Sequence, residues 1–252
     1  YNGSVVSEDA PTGFQEAPMS PEISKRVVGL EDGKLVIRED YLSQQPETTG
    51  TESVTDASDP AINYDGTALA CLGDTGRSLY FFSGGKGQYL VKNKKMTAPS
   101  FDSFGWLWVA ESDGAVRAYN AASTNEKERS KGIEIPVSWR SGMTFSSLRI
   151  SHDGARVVVV GTRDGTAAVV MSGVVRDSSG TPKGFTEPVR VTSSITPRTA
   201  VWAGEQNLVV VNDKTGESEV TTLSGEETKF DRLDGVKSVS AAGNTSNMLA
   251  NR

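Results

Sequence analysis

Three consecutive residues, Ser151, His152 and Asp153, bring a nucleophile, a base and an acid into one stretch, which makes it the first place to look for hydrolytic chemistry. Neighbours in a tight turn do not point at one another as a nucleophile–base–acid relay requires, so the stretch reads as a turn with a solvent-exposed histidine. His152 is the chain's single histidine and Cys71 its single cysteine. That inventory excludes an internal disulfide, a cysteine-rich zinc site and any site needing two imidazoles. No GxxxxGK[ST], GxGxxG after a strand, GxSxG, CxxC or EF-hand loop is present, so phosphate-cradling and nucleophile-elbow chemistry have no support. The sequence calls for no cofactor and no metal. Arg77, Arg140, Arg163 and Arg198 fall in loops, the residue type a sialidase-like mouth needs beside a tyrosine nucleophile, but their spacing does not gather them.

The remaining polar motifs read as turns. Asp65–Gly66, Asp102 with Gly105, and Asp153–Gly154 each place an aspartate before a glycine. The carboxylate accepts from backbone two residues on, and glycine supplies a positive φ. The stretch SFDSFGWLW resembles the Asp-box turn of sialidases with one extra residue before the glycine, and that turn is structural. SGGKG (83–87) reads as a hairpin turn, and the Asn-x-Ser/Thr matches at Asn2 and Asn244 as chance occurrences. Trp106 and Trp108 share one strand at spacing two and so face one side, where packing is their expected role. Trp139 lies in the loop PVSWRSGM beside Arg140. Tryptophan and arginine are enriched at interface hot spots, so this pair has two readings, a partner anchor or ordinary loop packing.

The elements that must hold these residues are strands. Short runs rich in Val, Leu, Tyr and Trp, including 67–72, 78–83, 105–111, 156–162, 166–171 and 207–213, alternate with Asp-Gly, Asn and Ser punctuation. TNEKERSKG (124–132) has no apolar face and reads as a solvated loop. A repeat runs through the chain: strand, polar turn ending on glycine, more apolar strand, with anchors at Gly66, Gly105, Gly154, Gly204 and Gly243. Their spacing averages about 44 residues, within the range of propeller blades. The expected fold is therefore all-β: a β-propeller of five four-stranded blades, or six as the alternative. The fifth unit has only two strands left, and the hairpin at 26–40 supplies two more, so the ends are expected to meet in one composite closing blade.

The 252 residues suffice for one large domain. Residues 1–24 read as a linker, 25–252 as the propeller, and 43–59 as a polar inter-blade loop. The chain opens without methionine or signal segment and reads as a mature chain or fragment. A formal charge of −6 gives no chain-wide basic surface, so nucleic acid is not an expected partner. No run approaches a membrane span.

At PSFDSFGWLWVAE and LRISHDGARVVVV the chain resembles the β-propeller half of the actinobacterial LpqB lipoprotein family. The first pattern falls on Pro99, Ser100, Phe101, Asp102, Gly105, Trp106 and Trp108; the second falls on Arg149, Ser151, Asp153, Gly154, Arg156 and Val157. The resemblance extends more weakly over about 27–250. It implies an extracytoplasmic protein whose lipid-bearing cysteine and germination-protein-like domain lie upstream; Cys71, within an apolar strand, is not that cysteine. It further implies an accessory of the MtrA/MtrB two-component system, with the sensor histidine kinase's extracytoplasmic domain as partner.

The expected function is protein binding without catalysis, through Arg77, Asp113, Trp139, Arg140, Arg163, Asp164 and Arg198 on loops of a rigid scaffold. Two rivals are a cell-wall ligand-binding or hydrolytic propeller using its central channel, and a passive spacer.

Overall fold

The structure is a computed structural model, and it describes residues 27–31, 34–38, 54, 56–212, 214–223, 227–229, 238–241 and 248–251. Every strand pairing is antiparallel. The first hairpin is β1 (Val27–Glu31) with β2 (Lys34–Arg38). The first blade follows as β3 (Ser58–Ile62), β4 (Ala68–Gly73), β5 (Ser78–Ser83) and β6 (Lys86–Val91). The second is β7 (Ser100–Phe101), β8 (Trp106–Ala110), β9 (Val116–Asn120) and β10 (Ile133–Ile135). The third has five strands: β11 (Met143–Ile150), β12 (Arg156–Arg163), β13 (Thr166–Arg176), β14 (Pro182–Phe185) and β15 (Val189–Val191). Its long β13 pairs β15 with its first half and β14 with its last residues. The fourth is β16 (Thr199–Ala203), β17 (Asn207–Asn212), β18 (Glu217–Thr222) and β19 (Glu227–Lys229). A last hairpin joins β20 (Ser238–Ala241) to β21 (Met248–Asn251).

Period-two alternation explains why the middle strands are apolar throughout. On β4 and β5, Leu69, Cys71, Tyr80 and Phe82 pack toward Val28, Leu30, Leu35 and Ile37 of the first hairpin. Their neighbours Ala70, Leu72, Leu79 and Phe81 pack the other way, against Leu107, Val109 and Tyr119 of the second blade. Both faces are thus buried against other sheets, as in a propeller. Trp108, Val116, Leu148 and Val159 fill the seam between blades two and three, and Val158, Val160, Trp202 and Val210 the seam between three and four. Trp106 packs beside Trp108 in the same seam, as spacing two requires.

The fold is the all-β propeller the sequence predicts, with four blades described. The first strands of successive blades lie side by side, β3 with β7, β7 with β11, and β11 with β16, so they line the inside of the array. Hairpin β1–β2 packs by β1 on β3, and β20 lies against β16, which puts the two hairpins at the two ends. The ladder that a composite closing blade needs between them does not occur among the described residues. Gly66, Gly105, Gly154 and Gly204 all sit in the first turn of a blade at φ between 69° and 77°, the left-handed region that gives the repeat its glycine. Gly243, Asn2, Asn244 and the linker at 1–24 lie outside the described residues, as does most of the loop at 43–59, whose last residues, Ser58 and Asp59, begin β3.

One stretch departs from the sequence reading. Residues 126–131 form α1 (Glu126–Lys131) rather than a loop. Asn125 caps it by accepting from the Lys127 and Glu128 N–H groups, with acids in the first turn and bases in the last. Its anchor is Arg129, which donates to Gln88 Oε1 of the first blade at 2.9 Å, a partner 41 residues away that no local pattern reveals.

Candidate functional site

Antiparallel blades sort their connections onto two rims. The turn between first and second strands and the one between third and fourth emerge at one edge, here the turn rim. The turn between second and third strands and the crossing to the next blade emerge at the opposite edge, here the crossover rim. Arg77, Asp113 and Asp164 belong to second-to-third turns and Arg163 ends the strand that enters one, while Trp139, Arg140 and Arg198 belong to crossings. All seven candidate residues therefore share the crossover rim. Asp65, Gly66, Asp102, Gly105, Asp153 and Gly154 share the turn rim.

The crossover rim is tied together by its backbone. Lys94 N–H donates to Arg77 O at 2.9 Å, and Ser112 N–H to Lys95 O at 3.0 Å, which links the first crossing to the turns of blades one and two. Asp113 Oδ1 accepts from Ala115 N–H at 3.0 Å. A Cβ on Gly114 would meet Met143 O at 3.0 Å, so that turn presses directly on the second crossing. Arg163 Nη2 donates to Trp139 O at 2.8 Å, binding the third blade's turn to the same crossing. Arg198 closes the next crossing: its N–H donates to Val211 O at 3.0 Å and its carbonyl accepts from Ser146 Oγ at 2.9 Å. Arg77, Asp113, Arg163, Asp164 and Arg198 are exposed, whereas Trp139 and Arg140 are half-buried. The Trp139 ring packs 5.9 Å from Phe145 and 6.3 Å from Phe185 by centroids, so the indole sits half-buried in the seam between blades two and three.

Two buried acids that the sequence reading missed hold these crossings. Glu111 accepts from Lys94 Nζ and Arg117 Nε, each at 2.8 Å, and Arg117 reaches on to Glu134 at 3.3 Å. The hydrogen bond to Glu111 is the main cause that raises the Arg117 pKa. Glu219, fully buried, accepts from Ser194 N–H at 2.9 Å and Ser194 Oγ at 2.8 Å. A carboxylate just after a strand (Glu111) or within one (Glu219), with a charged or polar crossing loop before its blade, is the only sequence trace of either device.

At the turn rim the aspartates do structural work. Asp102 is buried; its Oδ1 accepts from Phe104 N–H and Trp106 N–H, both at 2.9 Å, and its Oδ2 from Trp108 Nε1 at 2.8 Å. Arg176, at the far end of β13, completes the set by donating to Oδ2, and also donates to Gly180 O at 2.9 Å and Gly154 O at 3.1 Å. Its guanidinium lies 4.4 Å from the Phe104 ring centroid. Asp102 and Arg176 thus clamp blade two to blade three. Burial raises the Asp65 pKa, but hydrogen bonds from Thr67 outweigh it and hold the carboxyl below its usual value.

Ser151, His152 and Asp153 form no relay. Ser151 Oγ donates to Asp153 Oδ1 at 2.6 Å, and the His152 ring stacks instead on Tyr64 with centroids 4.3 Å apart and planes 29° apart. His152 is half-buried by that ring, not solvent-exposed as its turn position implies. Tyr64 belongs to the first blade and His152 to the third, so the stack crosses the inside of the array. Cys71 is buried, and burial pushes its thiol pKa up to about 12. Among the described residues no three His, Cys, Asp or Glu side chains gather as ligands for a metal ion. No helix among them is long and apolar enough to cross a membrane.

Comparison with known proteins agrees with this architecture. Lipoprotein LpqB of Streptomyces avermitilis is 26% identical over 171 residues, covering 62% of this chain and 27% of its own length, so the chain spans less than a third of that relative. Among solved structures, an auxiliary nutrient binding protein from Bacteroides thetaiotaomicron superposes at TM-score 0.60 with 11% identity, over 88% of this chain and 57% of its own. A putative TolB from Agrobacterium tumefaciens gives TM-score 0.60 with 13% identity, over 86% and 79%. An oligogalacturonate lyase in complex with manganese gives 0.57 with 12% identity, over 89% and 66%. These likenesses are of fold. The family described as the lipoprotein LpqB beta-propeller domain matches residues 33–251, nearly the whole propeller, and the chain belongs to that family.

Proposed function

We propose that this propeller is a protein-docking domain without catalysis of its own, that it docks through its crossover rim, and that its partner is the extracytoplasmic domain of a sensor histidine kinase of a two-component system. A lipid on the full-length protein holds it at the outer face of the membrane, beside that partner. What carries the reading is the gathering of Arg77, Asp113, Trp139, Arg140, Arg163, Asp164 and Arg198 on one rim, with backbones fixed by hydrogen bonds and most charged ends in water. Rigid loops carrying charge around an arginine–tryptophan pair suit recognition, because little backbone freedom remains to be lost on binding. The rival reading, a ligand-binding or hydrolytic channel, gains nothing at the turn rim, where Tyr64 and His152 stack across the interior.

Calorimetric titration of this domain against the purified kinase domain tests the reading. Saturable binding with Kd of about micromolar or tighter is the expected result. The double substitution Trp139→Ala with Arg140→Ala weakens it by more than about tenfold while the fold persists. An unaltered affinity in a folded double variant refutes the site, and no binding by the wild type refutes the partner.

A further inference from the structure

Among the described residues the large apolar side chains that stand exposed are Phe104, Val175 and Val189. Phe104 has its place over the Arg176 guanidinium, but the two valines share one face of blade three. Along β13, Val170 and Val174 pack into the seam with blade two, while Val169 and Met171 pack into the seam with blade four. Alternation therefore puts Val175 on the blade-four side with Met171. The ladder pairs Val189 with Met171 and Val191 with Val169, which puts both on that side too. Met171 and Val191 are half-buried against the core, whereas Val175 is 43% and Val189 62% exposed, so the apolar seam runs out onto the surface.

The strand that carries Val189 is also an open edge. α1 lies beside β6, the outermost strand of blade one, and β14 beside β10, the outermost of blade two. β15 has β13 on one side and, among the described residues, no ladder on the other. Unpaired backbone with apolar side chains at alternate positions is what an added strand pairs with. The middle residue, Arg190, is exposed and enters no ion pair among the described residues.

We infer that β15 is an intramolecular docking edge: an extended segment of the full-length protein, lying outside this chain, pairs with it, placing apolar side chains beside Val189 and Val191 and a carboxylate opposite Arg190. Size selects this occupant. The exposed strip offers far less than the ~800 Å² per partner that a stable complex of separate molecules buries. A tethered segment needs less, because linkage raises its effective concentration to about millimolar. Most of the relative LpqB, which is matched over 27% of its length, lies outside the part that corresponds to this chain. Charge argues against a second copy, since two β15 strands paired antiparallel over all three residues set Arg190 against Arg190. β15 lies at the outer edge of blade three, so this inference stands apart from docking through the crossover rim.

The test is photo-crosslinking of the purified, detergent-solubilised full-length protein with p-benzoylphenylalanine in place of Val189, an exposed position that admits the larger ring; the same residue in place of Phe104 is the control. The expected product is a crosslink within one polypeptide to a segment outside this chain, absent from the control, with its yield lowered at least about fivefold by Arg190→Glu. Amide exchange gives a second readout in the same protein without the probe: the 189–191 amides exchange at least about tenfold faster in Arg190→Glu than in wild type. A crosslink between two polypeptides overturns the inference and makes a second copy the occupant. Equal crosslinking from both positions, or a yield and an exchange rate that Arg190→Glu leaves unchanged, overturns it as well. So does an absent crosslink together with wild-type 189–191 amides that exchange as fast as unprotected ones.

Discussion

Replacing Arg176 with alanine isolates the clamp between blades two and three. The Arg176 side chain is 11% exposed and that of Asp102 0%, so this pair lies outside the class of surface ion pairs that contribute little. Removing one partner of a buried pair costs about 3–5 kcal/mol, because the other charge stays buried. Asp102 keeps three donors, the Phe104 and Trp106 N–H groups and Trp108 Nε1. Those bonds place the cost at the lower end, about 3 kcal/mol. In a chain of this size each kcal/mol moves the melting point by about 2–4 °C, so Arg176→Ala lowers Tm by about 6–12 °C. Urea unfolding followed by tryptophan fluorescence reads the same loss, since Trp108 shares the carboxylate. Asp102→Asn keeps an acceptor for the turn and removes the charge, and the double-mutant cycle with Arg176→Ala gives a coupling of about 2 kcal/mol. A loss below about 1 kcal/mol for Arg176→Ala refutes the argument, because it puts the pair among solvent-screened contacts.

Acid stability carries a second signature. Burial raises the Asp153 pKa, but the Ser151 hydroxyl, the Ala155 N–H and the charges of Arg156 and His152 outweigh it and hold it below its ordinary 3.8. A carboxyl with a depressed folded pKa contributes stability that is whole above the unfolded value and is lost as pH falls through the folded one. Asp153→Asn therefore destabilises at neutral pH and flattens the acid limb below about pH 4, read from urea midpoints across pH; an equal shift at every pH refutes the linkage. The Cys71 thiol, raised to about 12 by burial, stays inert to a thiol reagent in the native protein and reacts only on unfolding. Native-state labelling as fast as that of a free thiol refutes its placement in the seam.

What the sequence disclosed was local. The four glycine turns were legible because a turn that needs a positive φ leaves a glycine between two apolar runs, beside an aspartate at Gly66 and Gly154, and the strands because both faces of a blade demand apolar residues. The pairing of Trp106 with Trp108 followed from spacing alone. Contacts at long range left no such trace. Arg176 finds Asp102 from 74 residues away, and Tyr64 meets His152 from two blades away, so an exposed turn histidine became a stacked one. The same holds for α1, whose capping is local but whose anchor at Gln88 is not. The candidate loops could be named singly, yet their common rim appears only when antiparallel strand order is known. Trp139 packs into the seam against Phe145 and Phe185, the loop-packing half of its two readings.

The apolar alternation along β4 also has a practical reading for cutting this chain. Leu69 and Cys71 serve one seam while Ala70 and Leu72 serve the next, so a blade has no back that water could wet. A piece ending at any blade boundary presents a sheet's full apolar side to solvent, a template for aggregation rather than a smaller domain. Deletion libraries should accordingly tolerate changes in the rim loops and fail at the seams, and a tag or fluorophore belongs in a loop such as 84–85, where glycines at positive φ have open space beside them.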